Sequence, residues 1–288
     1  MTLPNFIICG TQRGGTSSLY HYLNEHPEIL MSSIKEVHYF DLNYNKGLDW
    51  YEKHFISSTS NYKAIGEASP LYMYLKEVPE RIHEVLPDVK LIFILRNPVD
   101  RAYSHYWHEV KIGYEKLSFE EAIEIEKERL SNGDIISIRH YSYLDRGKYI
   151  EQIRRFKKYF SKDQMLILFT EELRENPEKV MKTLFEFLEV DPNFKSDLWY
   201  KKKANVGRRP RIKEIQSLRG KLHEIKTYHF PRLSIIIKPL IYGIDRINLI
   251  PGYPPMNPDT KERLLNYFKK YNEELEKELK QKITYWRQ

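Results

Sequence analysis

Residues 10–18 read GTQRGGTSS and follow a short apolar run, so three glycines, several hydroxyl side chains and the guanidinium of Arg13 occur together. Glycine lets a backbone approach a ligand closely, and a turn that opens a helix presents N–H groups to an anion. Thr16, Ser17 and Ser18 add hydroxyl donors at the start of that helix. The segment therefore predicts a site for a phosphate or a sulfate, with a glycine-rich turn that binds no ligand as the alternative.

The same segment differs from the Walker phosphate-binding loop at one position. Gly10 and Gly15 match the glycines of that pattern, but Thr16 stands where the pattern has lysine. Arg13 brings the positive charge inside the loop instead. Kinases and ATPases place the lysine on the β and γ phosphates of their nucleotide, so its absence argues against ordinary ATP or GTP chemistry.

A second candidate anion site follows the apolar run at residues 91–95. Arg96 comes at the end of this predicted strand, where open α/β sheets bind ligands, and Ser104 lies about two turns into the helix that Pro98 begins. A guanidinium and a hydroxyl in these places would bind a second phosphate. The alternative is an ion pair between Arg96 and Asp100, with Ser104 an ordinary helical residue.

Positive charge is concentrated in one stretch of the chain. Residues 201–226 contain ten Lys or Arg and two Glu, a local balance of +8, while the whole chain carries +7. Within this stretch, residues 205–211 (NVGRRPR) have the Gly and Pro of a loop. Such a loop is suited to fold over a bound anion, and a solvated basic face or a nucleic-acid patch is the alternative.

The elements that position these residues alternate between strand and helix. Apolar runs predict strands at residues 6–9, 63–67, 91–95 and 165–169. Helical spacing predicts helices after the glycine loop, from Pro98 onward, and at residues 78–86, 144–160, 180–188 and 259–280. This order predicts an α/β protein with a P-loop-like three-layer fold, in which a central parallel β-sheet is flanked by helices. We expect one domain over residues 1–288, with a core at about 5–190, the basic loop at about 201–213 and a C-terminal helix at about 259–281.

Other features bear on compartment and partners. The single cysteine, Cys9, excludes an internal disulfide framework and a Cys-based zinc site. The first residues lack a basic region leading into an apolar signal segment. Lys238, Pro239 and Asp245 interrupt the apolar stretch at 233–250, which is therefore too polar to cross a bilayer. We expect a cytoplasmic chain without integral membrane association, in which 233–250 forms either core or an interfacial patch.

Together the motifs resemble those of the sulfotransferases that use 3′-phosphoadenosine 5′-phosphosulfate (PAPS), especially the branch related to heparan sulfate sulfotransferases. TQRGGTSSL at 11–19 resembles the 5′-phosphosulfate loop of that family, and LRNPVDRAYS at 95–104 resembles its 3′-phosphate motif. KEVHYFD at 35–41, GLDWY at 47–51 and GEASP at 66–70 lie between them in the family's order and spacing. The resemblance covers about residues 5–190 and suggests a bacterial member.

The resemblance implies that PAPS is the sulfuryl donor, that adenosine 3′,5′-bisphosphate is its product and that no metal ion takes part. By resemblance, Arg13, Gly14, Gly15, Thr16, Ser17 and Ser18 hold the 5′-phosphosulfate, Arg96 and Ser104 hold the 3′-phosphate, and Arg208 and Arg209 belong to a late basic loop over the nucleotide. Arg13 stands where the family usually has Lys. Arginine keeps the charge that stabilises a leaving group but does not readily release a proton.

The resemblance also implies an acceptor site. Glu36 matches the carboxylate that acts as base in the glycan-modifying branch, with a solvated surface carboxylate as the alternative. His38 and Asp41 match neighbours that line the acceptor site, so we take Glu36, Arg13 and His38 as catalytic candidates and Asp41 and Ser69 as acceptor-binding candidates. Ala68 departs from that branch, which often has Lys there, so a cation near the donor or acceptor is missing from this chain.

The sequence thus predicts a metal-independent sulfotransferase that acts on a hydroxyl or amine of a carbohydrate or small molecule and has no nucleic-acid partner. A P-loop nucleotide or small-molecule kinase is the first alternative, and it would consume ATP with magnesium. A non-catalytic protein that binds polyanions through residues 201–226 is the second, and its binding would depend steeply on salt. The sequence indicates neither the identity of the acceptor nor the oligomeric state.

Overall fold

The computed structural model describes residues 2–56, 62–200, 207–225 and 233–286. The chain divides into two compact units. The first comprises Met1–Asn97, Lys148–Lys202 and Lys270–Gln288, and the second comprises Pro98–Gly147 and Lys203–Lys269. The expected single domain over residues 1–288 stays a prediction, and residues 201–206 and 226 of the predicted basic segment lie outside the described residues.

A parallel β-sheet of five strands forms the centre of the first unit. Its strands are β1 (Phe6–Gly10), β2 (Ile29–Met31), β3 (Ala64–Ala68), β4 (Lys90–Leu95) and β5 (Met165–Phe169). They lie in the order β2-β3-β1-β4-β5, and every neighbouring pair is parallel. The α/β fold with a central parallel sheet, predicted from the alternation of strands and helices, is confirmed.

Helices occupy most of the chain between the strands. In chain order they are α1 (Thr16–Leu23), α2 (Tyr39–Leu42), α3 (Leu48–Glu52), α4 (Val78–Val85), α5 (Pro98–Ile112), α6 (Phe119–Glu124), α7 (Glu126–Leu130), α8 (Ile135–Tyr141), α9 (Tyr149–Phe156), α10 (Thr170–Glu175), α11 (Pro177–Leu188), α12 (Lys213–Glu224), α13 (Ser234–Asn248) and α14 (Pro258–Leu279). Helices α5 to α8, α12 and α13 belong to the second unit.

The sheet is held by apolar packing on strands that are covered on both faces. Every residue of β1 is buried, as are all residues of β4 after Lys90. Phe6 and Ile92 belong to one core cluster with Leu19 of α1 and Phe185 of α11. Continuous apolar runs, without polar alternation, are typical of such central parallel strands. This core fixes the strand ends on which the candidate site depends.

In the second unit, α12 and α13 pack together beside a small antiparallel sheet of β6 (Arg208–Pro210) and β7 (Leu249–Pro251). The Asn248 amide group donates to the Ile212 carbonyl at 2.7 Å and to Gln216 Oε1 at 3.0 Å. Gly113, after α5, has φ +88°, and a Cβ there would lie 2.1 Å from the Gln216 carbonyl oxygen. Glycine therefore allows α12 to approach the end of α5 closely.

One predicted helix begins later than expected. Helical spacing predicted residues 144–160, but α9 covers Tyr149–Phe156. The Glu126 carboxylate accepts hydrogen bonds from the backbone N–H groups of Leu144 and Asp145, at 2.7 and 2.8 Å. A short 3₁₀ turn, Asp145–Gly147, forms at this place instead of a first helical turn. The buried carboxylate, distant in sequence, decides the local structure.

Candidate active site

Four segments that carry predicted site residues leave the same edge of the sheet. Glu36 and His38 follow β2, Ser69 follows β3, Arg13 follows β1 and Arg96 follows β4. These four strands are neighbours in that order and are all parallel, so their carboxyl ends lie side by side. Open parallel sheets bind their ligands outside this edge.

The glycine loop between β1 and α1 closes tightly on β4. The Thr11 N–H donates to the Ile94 carbonyl at 2.9 Å, and the Gly14 N–H donates to the Thr11 carbonyl, also at 2.9 Å. A Cβ at Gly14 would lie 2.5 Å from the Ile94 carbonyl oxygen, so only glycine fits there. Gly15 has φ +111°, in the left-handed region that favours glycine. The loop thus has the close backbone approach that its glycines predicted.

Helix α1 begins at Thr16, directly after this loop. No side chain of the described residues caps it, and its first turn contains no acid. The first N–H groups of a helix have no acceptor within the helix, and the helix dipole is positive there. Together with the hydroxyls of Ser17 and Ser18, which are half-buried, this end of α1 suits the negative charge of a phosphosulfate.

Arg96 lies against the glycine loop. Its Nη1 donates to the Arg13 carbonyl at 3.3 Å, and its own carbonyl accepts a hydrogen bond from the Tyr149 hydroxyl at 2.8 Å. The next N–H, of Asn97, donates to Glu171 Oε1 at 3.0 Å. The structure therefore brings Arg13 and Arg96 together in the first unit, on loops that follow adjacent strands.

The other residues predicted to bind the nucleotide belong to the second unit. Ser104 is buried on α5, and Arg208 and Arg209 pair through β6 with Pro251 and Ile250 of β7. Their part in a common donor site with Arg13 and Arg96 stays a prediction.

A pair of stacked aromatic rings packs against Gly207, the residue before β6, within the second unit. The rings of Trp107 and Tyr253 stack with centroids 5.7 Å apart and planes 9° apart. A Cβ on Gly207 would lie 2.4 Å from the Tyr253 ring, and the Gly252 N–H donates to the Gly207 carbonyl at 2.7 Å. Glycine at 207 is thus needed for the chain to pass this ring.

Glu36, His38 and Asp41 form a chain of charged groups after β2. His38 Nδ1 donates to Asp41 Oδ2 at 2.7 Å, and His38 Nε2 lies 3.5 Å from Glu36 Oε2. The Lys35 ammonium group binds the other oxygen of Glu36. The Glu36 side chain is 40% exposed, whereas that of Asp41 is fully buried. Of the two carboxylates that contact His38, Glu36 is therefore the one that an acceptor can reach.

The protonation states of this cluster follow from its contacts. Burial opposes ionisation of Glu36, but the hydrogen bond from His38 and the charge of Lys35 outweigh it and lower the pKa of Glu36 to about 2. Burial also opposes the charged form of His38, yet its hydrogen bonds to Asp41 and Glu36 raise the pKa of His38 to about 9. At neutral pH, Glu36 is a carboxylate beside an imidazolium.

The backbone of this segment is held in an unusual conformation by β3. Glu36 and His38 have φ values of 64° and 55°, in the left-handed region that non-glycine residues rarely adopt. The Glu36 N–H donates to the Ala68 carbonyl at 3.1 Å, and the His38 N–H donates to the Ser69 hydroxyl, also at 3.1 Å. These bonds fix both side chains relative to the end of the sheet.

Glu67 is a functional candidate that sequence reasoning did not single out. It is fully buried, and its carboxylate accepts hydrogen bonds from the hydroxyls of Tyr51 at 2.6 Å, Ser69 at 2.7 Å and Tyr72 at 3.0 Å. Burial raises the pKa of Glu67 to about 7 in spite of these three bonds, which act to lower it. Through Ser69, Glu67 supports the backbone of His38.

The sequence did contain a signal for this network. A carboxylate interrupts the apolar strand β3, AIGEA, and the GLDWY and GEASP motifs supply Tyr51, Glu67 and Ser69. The Ser69 hydroxyl is buried and is engaged by Glu67 and His38. Its predicted contact with the acceptor stays a prediction, and its visible task is to connect β3 with His38.

Residues 2–56, 62–200, 207–225 and 233–286 contain no group of three or more His, Cys, Asp or Glu side chains arranged to hold a metal ion. Over the same parts of the chain, every helix is too short or too polar to cross a bilayer.

Comparisons with known proteins identify the family of this chain. The sequence-family description "Sulfotransferase domain" matches residues 3–204. The membrane-associated sulfotransferase kil1 of Dictyostelium discoideum is 26% identical over 96% of this chain and 65% of its own length. Human heparan sulfate glucosamine 3-O-sulfotransferase 5 is 33% identical over 66% of this chain and 54% of its own length. Human bifunctional heparan sulfate N-deacetylase/N-sulfotransferase 3 is 35% identical over 67% of this chain and 23% of its own length.

One solved structure is similar to this chain in fold and in sequence. The sulfotransferase from Alicyclobacillus acidocaldarius aligns over the full length of both chains, with a TM-score of 0.75 and 26% sequence identity. This chain spans less than two thirds of the curated relatives named above, from 23% to 65% of their lengths. The family match nevertheless covers more than half of the chain. The chain belongs to the sulfotransferase family.

Proposed function

We propose that this chain transfers a sulfuryl group from PAPS to a hydroxyl or amine of a carbohydrate. The observation that carries the proposal is the shared edge of the sheet. There, the glycine loop after β1, with Arg13, and Arg96 after β4 share one edge of the sheet with the segment after β2 that holds Glu36 and His38. β3 lies between β2 and β1, and the Glu36 N–H binds the carbonyl of Ala68 at its end, so this segment reaches the strand next to the loop. A donor bound at the loop would therefore have a carboxylate and an imidazolium at the same edge, where an acceptor would enter.

The residues at the loop fit the donor's 5′-phosphosulfate. Gly14 leaves room for an anion to approach the backbone, and the uncapped end of α1 offers N–H groups to it. When bound, PAPS supplies an activated sulfuryl group and a stable leaving group. The Arg13 guanidinium would stabilise charge on the bridging oxygen as the sulfur–oxygen bond breaks, since such transfers depend on positioning and electrostatics. Arg96 and Ser104 would hold the 3′-phosphate.

On the acceptor side, Glu36 takes up the proton. The acceptor oxygen or nitrogen forms a bond to sulfur while the bond from sulfur to the bridging oxygen breaks, and the acceptor proton moves to the Glu36 carboxylate. The products are the sulfated acceptor and adenosine 3′,5′-bisphosphate. His38 and Lys35 keep Glu36 ionised, and Asp41 keeps His38 protonated.

The proposal is favoured over the kinase alternative by the loop residues. Thr16 occupies the Walker lysine position and is buried at the start of α1. The loop therefore lacks the lysine that contacts the β and γ phosphates of a nucleoside triphosphate. A carbohydrate acceptor is supported by the heparan sulfate sulfotransferases among the relatives. A cytoplasmic location stays a prediction.

The experiment is transfer of label from radiolabelled PAPS, in the presence of a metal chelator, to heparosan, heparan sulfate or p-nitrophenol. We expect label on a glycan, and we expect Glu36→Gln to reduce turnover by about 10²- to 10⁴-fold, as for loss of a general base. Glu52→Gln serves as the matched control, because Glu52 lies on α3 and is outside the Glu36–His38–Asp41 chain.

Three outcomes would contradict parts of the proposal. Label on the phenol alone would overturn the carbohydrate acceptor. Consumption of ATP with magnesium, without transfer from PAPS, would favour the kinase. An active Glu36→Gln variant would remove Glu36 from the role of base.

A further inference from the structure

Helix α13 (Ser234–Asn248) is apolar on nearly every side. Its inner face, with Ile237, Ile241 and Asn248, is buried. Asn248 bonds to Ile212 and Gln216, so this face is fixed against α12 and the segment before it. A helix with apolar residues around its whole circumference is normally covered on all sides, by protein or by lipid.

The outer face of α13 is not covered by the described residues. Five large apolar side chains on it are between 54% and 84% exposed: Ile235, Ile236, Leu240, Tyr242 and Ile247. At 100° per residue they span one side of the helix, opposite Ile237 and Ile241. A set of exposed large apolar residues on one helix is typical of a surface that binds something.

The charges on α13 identify the kind of surface that would complement it. Lys238 and Arg246 are exposed together with the apolar residues. Asp245, the only acid of this helix, is turned toward α12, where its carboxylate accepts a hydrogen bond from Gln216 at 2.8 Å and lies 3.4 Å from Arg219 Nε. The outer face therefore combines apolar side chains with positive charge and has no opposing carboxylate of its own.

We propose that the outer face of α13 binds the surface of an anionic lipid bilayer. The helix would lie in the plane of the interface, with the isoleucines and Leu240 among the acyl chains and Tyr242 at the level of the headgroups. Lys238 and Arg246 would contact lipid phosphates and carboxylates. With 15 residues, α13 is too short to span a bilayer, so the association is peripheral.

Charge favours lipid over a second copy of this chain. In a two-fold symmetric dimer the same face meets itself, so Lys238 and Arg246 of one copy would approach the same residues of the other. Like charges across an interface oppose association, whereas an anionic surface attracts them.

The test is co-sedimentation of the full chain with vesicles of phosphatidylcholine, with or without phosphatidylserine. We expect binding to the vesicles that contain phosphatidylserine and weaker binding at high salt. The triple variant Ile235→Ser, Ile236→Ser, Ile247→Ser and the double variant Lys238→Glu, Arg246→Glu should each lower the partition coefficient by about tenfold or more. Ile56→Ser is the control, since Ile56 is 73% exposed but lies on the first unit.

Several results would overturn the proposal. Absence of vesicle binding would do so, as would equal binding of the variants and the unchanged chain. A dimer in analytical ultracentrifugation that the triple variant converts to a monomer would assign the face to a second copy instead. The charge-reversal variant keeps the apolar residues, so the two variants separate the apolar and electrostatic contributions, and circular dichroism checks that both are folded.

Discussion

His38 joins the buried carboxylate of Asp41 to the accessible carboxylate of Glu36. Its Nδ1 lies 2.7 Å from Asp41 Oδ2, and its Nε2 lies 3.5 Å from Glu36 Oε2. Because Asp41 is fixed in the interior, it sets the orientation of the ring and, through the ring, that of Glu36. An acceptor hydroxyl that reaches Glu36 thus meets a carboxylate whose charge and position are set from within the protein.

This relationship predicts the alkaline limit of activity. Since the pKa of His38 is raised to about 9, the ring is charged at neutral pH and loses its proton as the pH rises through about 9. We expect kcat/KM to fall there. The interaction also stabilises the fold, fully below pH 6.5, and this contribution is lost as the pH rises through about 9.

Asp41→Asn tests the cause of this limit. The change removes the carboxylate whose hydrogen bond raises the pKa of His38, so the alkaline limb should move to lower pH. The measurement is the pH profile of kcat/KM for both proteins, with circular dichroism to follow folding over the same range. A limb at the same pH in the variant would show that His38 does not set it.

Arg13 should contribute to turnover through its charge. Arg13→Ala should lower kcat by about 10²- to 10³-fold, as for removal of one preorganised donor to a developing negative charge. Arg13→Lys should retain most of the activity, because lysine keeps the charge at the position where the family usually has it. Comparable losses in both variants would indicate that the guanidinium shape, and not the charge alone, is needed. If Arg13→Ala turned over as fast as the unchanged chain, Arg13 would have no part in the reaction.

The glycine loop can be tested without altering a charge. Gly14→Ala places a Cβ 2.5 Å from the Ile94 carbonyl oxygen, so the loop must shift. We expect binding of adenosine 3′,5′-bisphosphate to weaken by about tenfold or more. Gly243→Ala is the matched control, since nothing lies within 4 Å of its Cβ and it is helical. Equal affinity of the two variants would contradict the role of the loop.

The strands and the donor loops could be predicted because the signals for them are local. Apolar runs at residues 91–95 and 165–169 fall within β4 and β5, and the glycine loop was expected between a strand and a helix. Arg96 directly follows β4, and Arg13 lies in the loop that begins where β1 ends. Parallel strands bring such positions to one edge, so their proximity follows from the fold class.

The support of the acceptor segment could not be predicted in the same way. The hydrogen bonds from Tyr51, Ser69 and Tyr72 to Glu67 depend on residues brought together by packing, and no period or spacing indicates them. The left-handed conformation of Glu36 and His38 is likewise imposed by bonds to β3 and the residue after it. The apolar pattern of α13 was visible in the sequence, but whether its residues belong to the core or to the surface was not. The structure shows that one face of this helix is buried and the other is exposed.

Glu67 should lower the stability of the folded chain at neutral pH, although it supports the backbone of His38 through Ser69. The pKa of Glu67 is about 7 in the folded chain, compared with 4.5 for an unperturbed glutamate such as that of the unfolded chain. The folded chain therefore keeps the proton on Glu67 up to a higher pH than the unfolded chain does. Stability should therefore fall as the pH rises from 4.5 to 7, by on the order of a few kcal/mol. Glu67→Gln keeps an oxygen that accepts hydrogen bonds from the neighbouring hydroxyls, but it has no carboxyl group to titrate. We therefore expect this variant to lose the decrease in stability between pH 4.5 and 7.

The measurement is urea unfolding of both proteins at pH values below 4.5 and above 7. Glu67→Leu, which has no acceptor, should disturb His38 and lower kcat more than Glu67→Gln does, because Ser69 then loses its partner. If the free energy of unfolding depended on pH in the same way in the unchanged chain and in Glu67→Gln, the prediction would be contradicted.

The most direct measurement is calorimetric titration with adenosine 3′,5′-bisphosphate in the presence of a metal chelator, with ATP and magnesium as the parallel ligand. A PAPS-dependent sulfotransferase should bind the bisphosphate tightly without metal, and Arg96→Ala should abolish most of that binding. Binding of ATP with magnesium, and not of the bisphosphate, would contradict the donor assignment and return the chain to the kinase alternative.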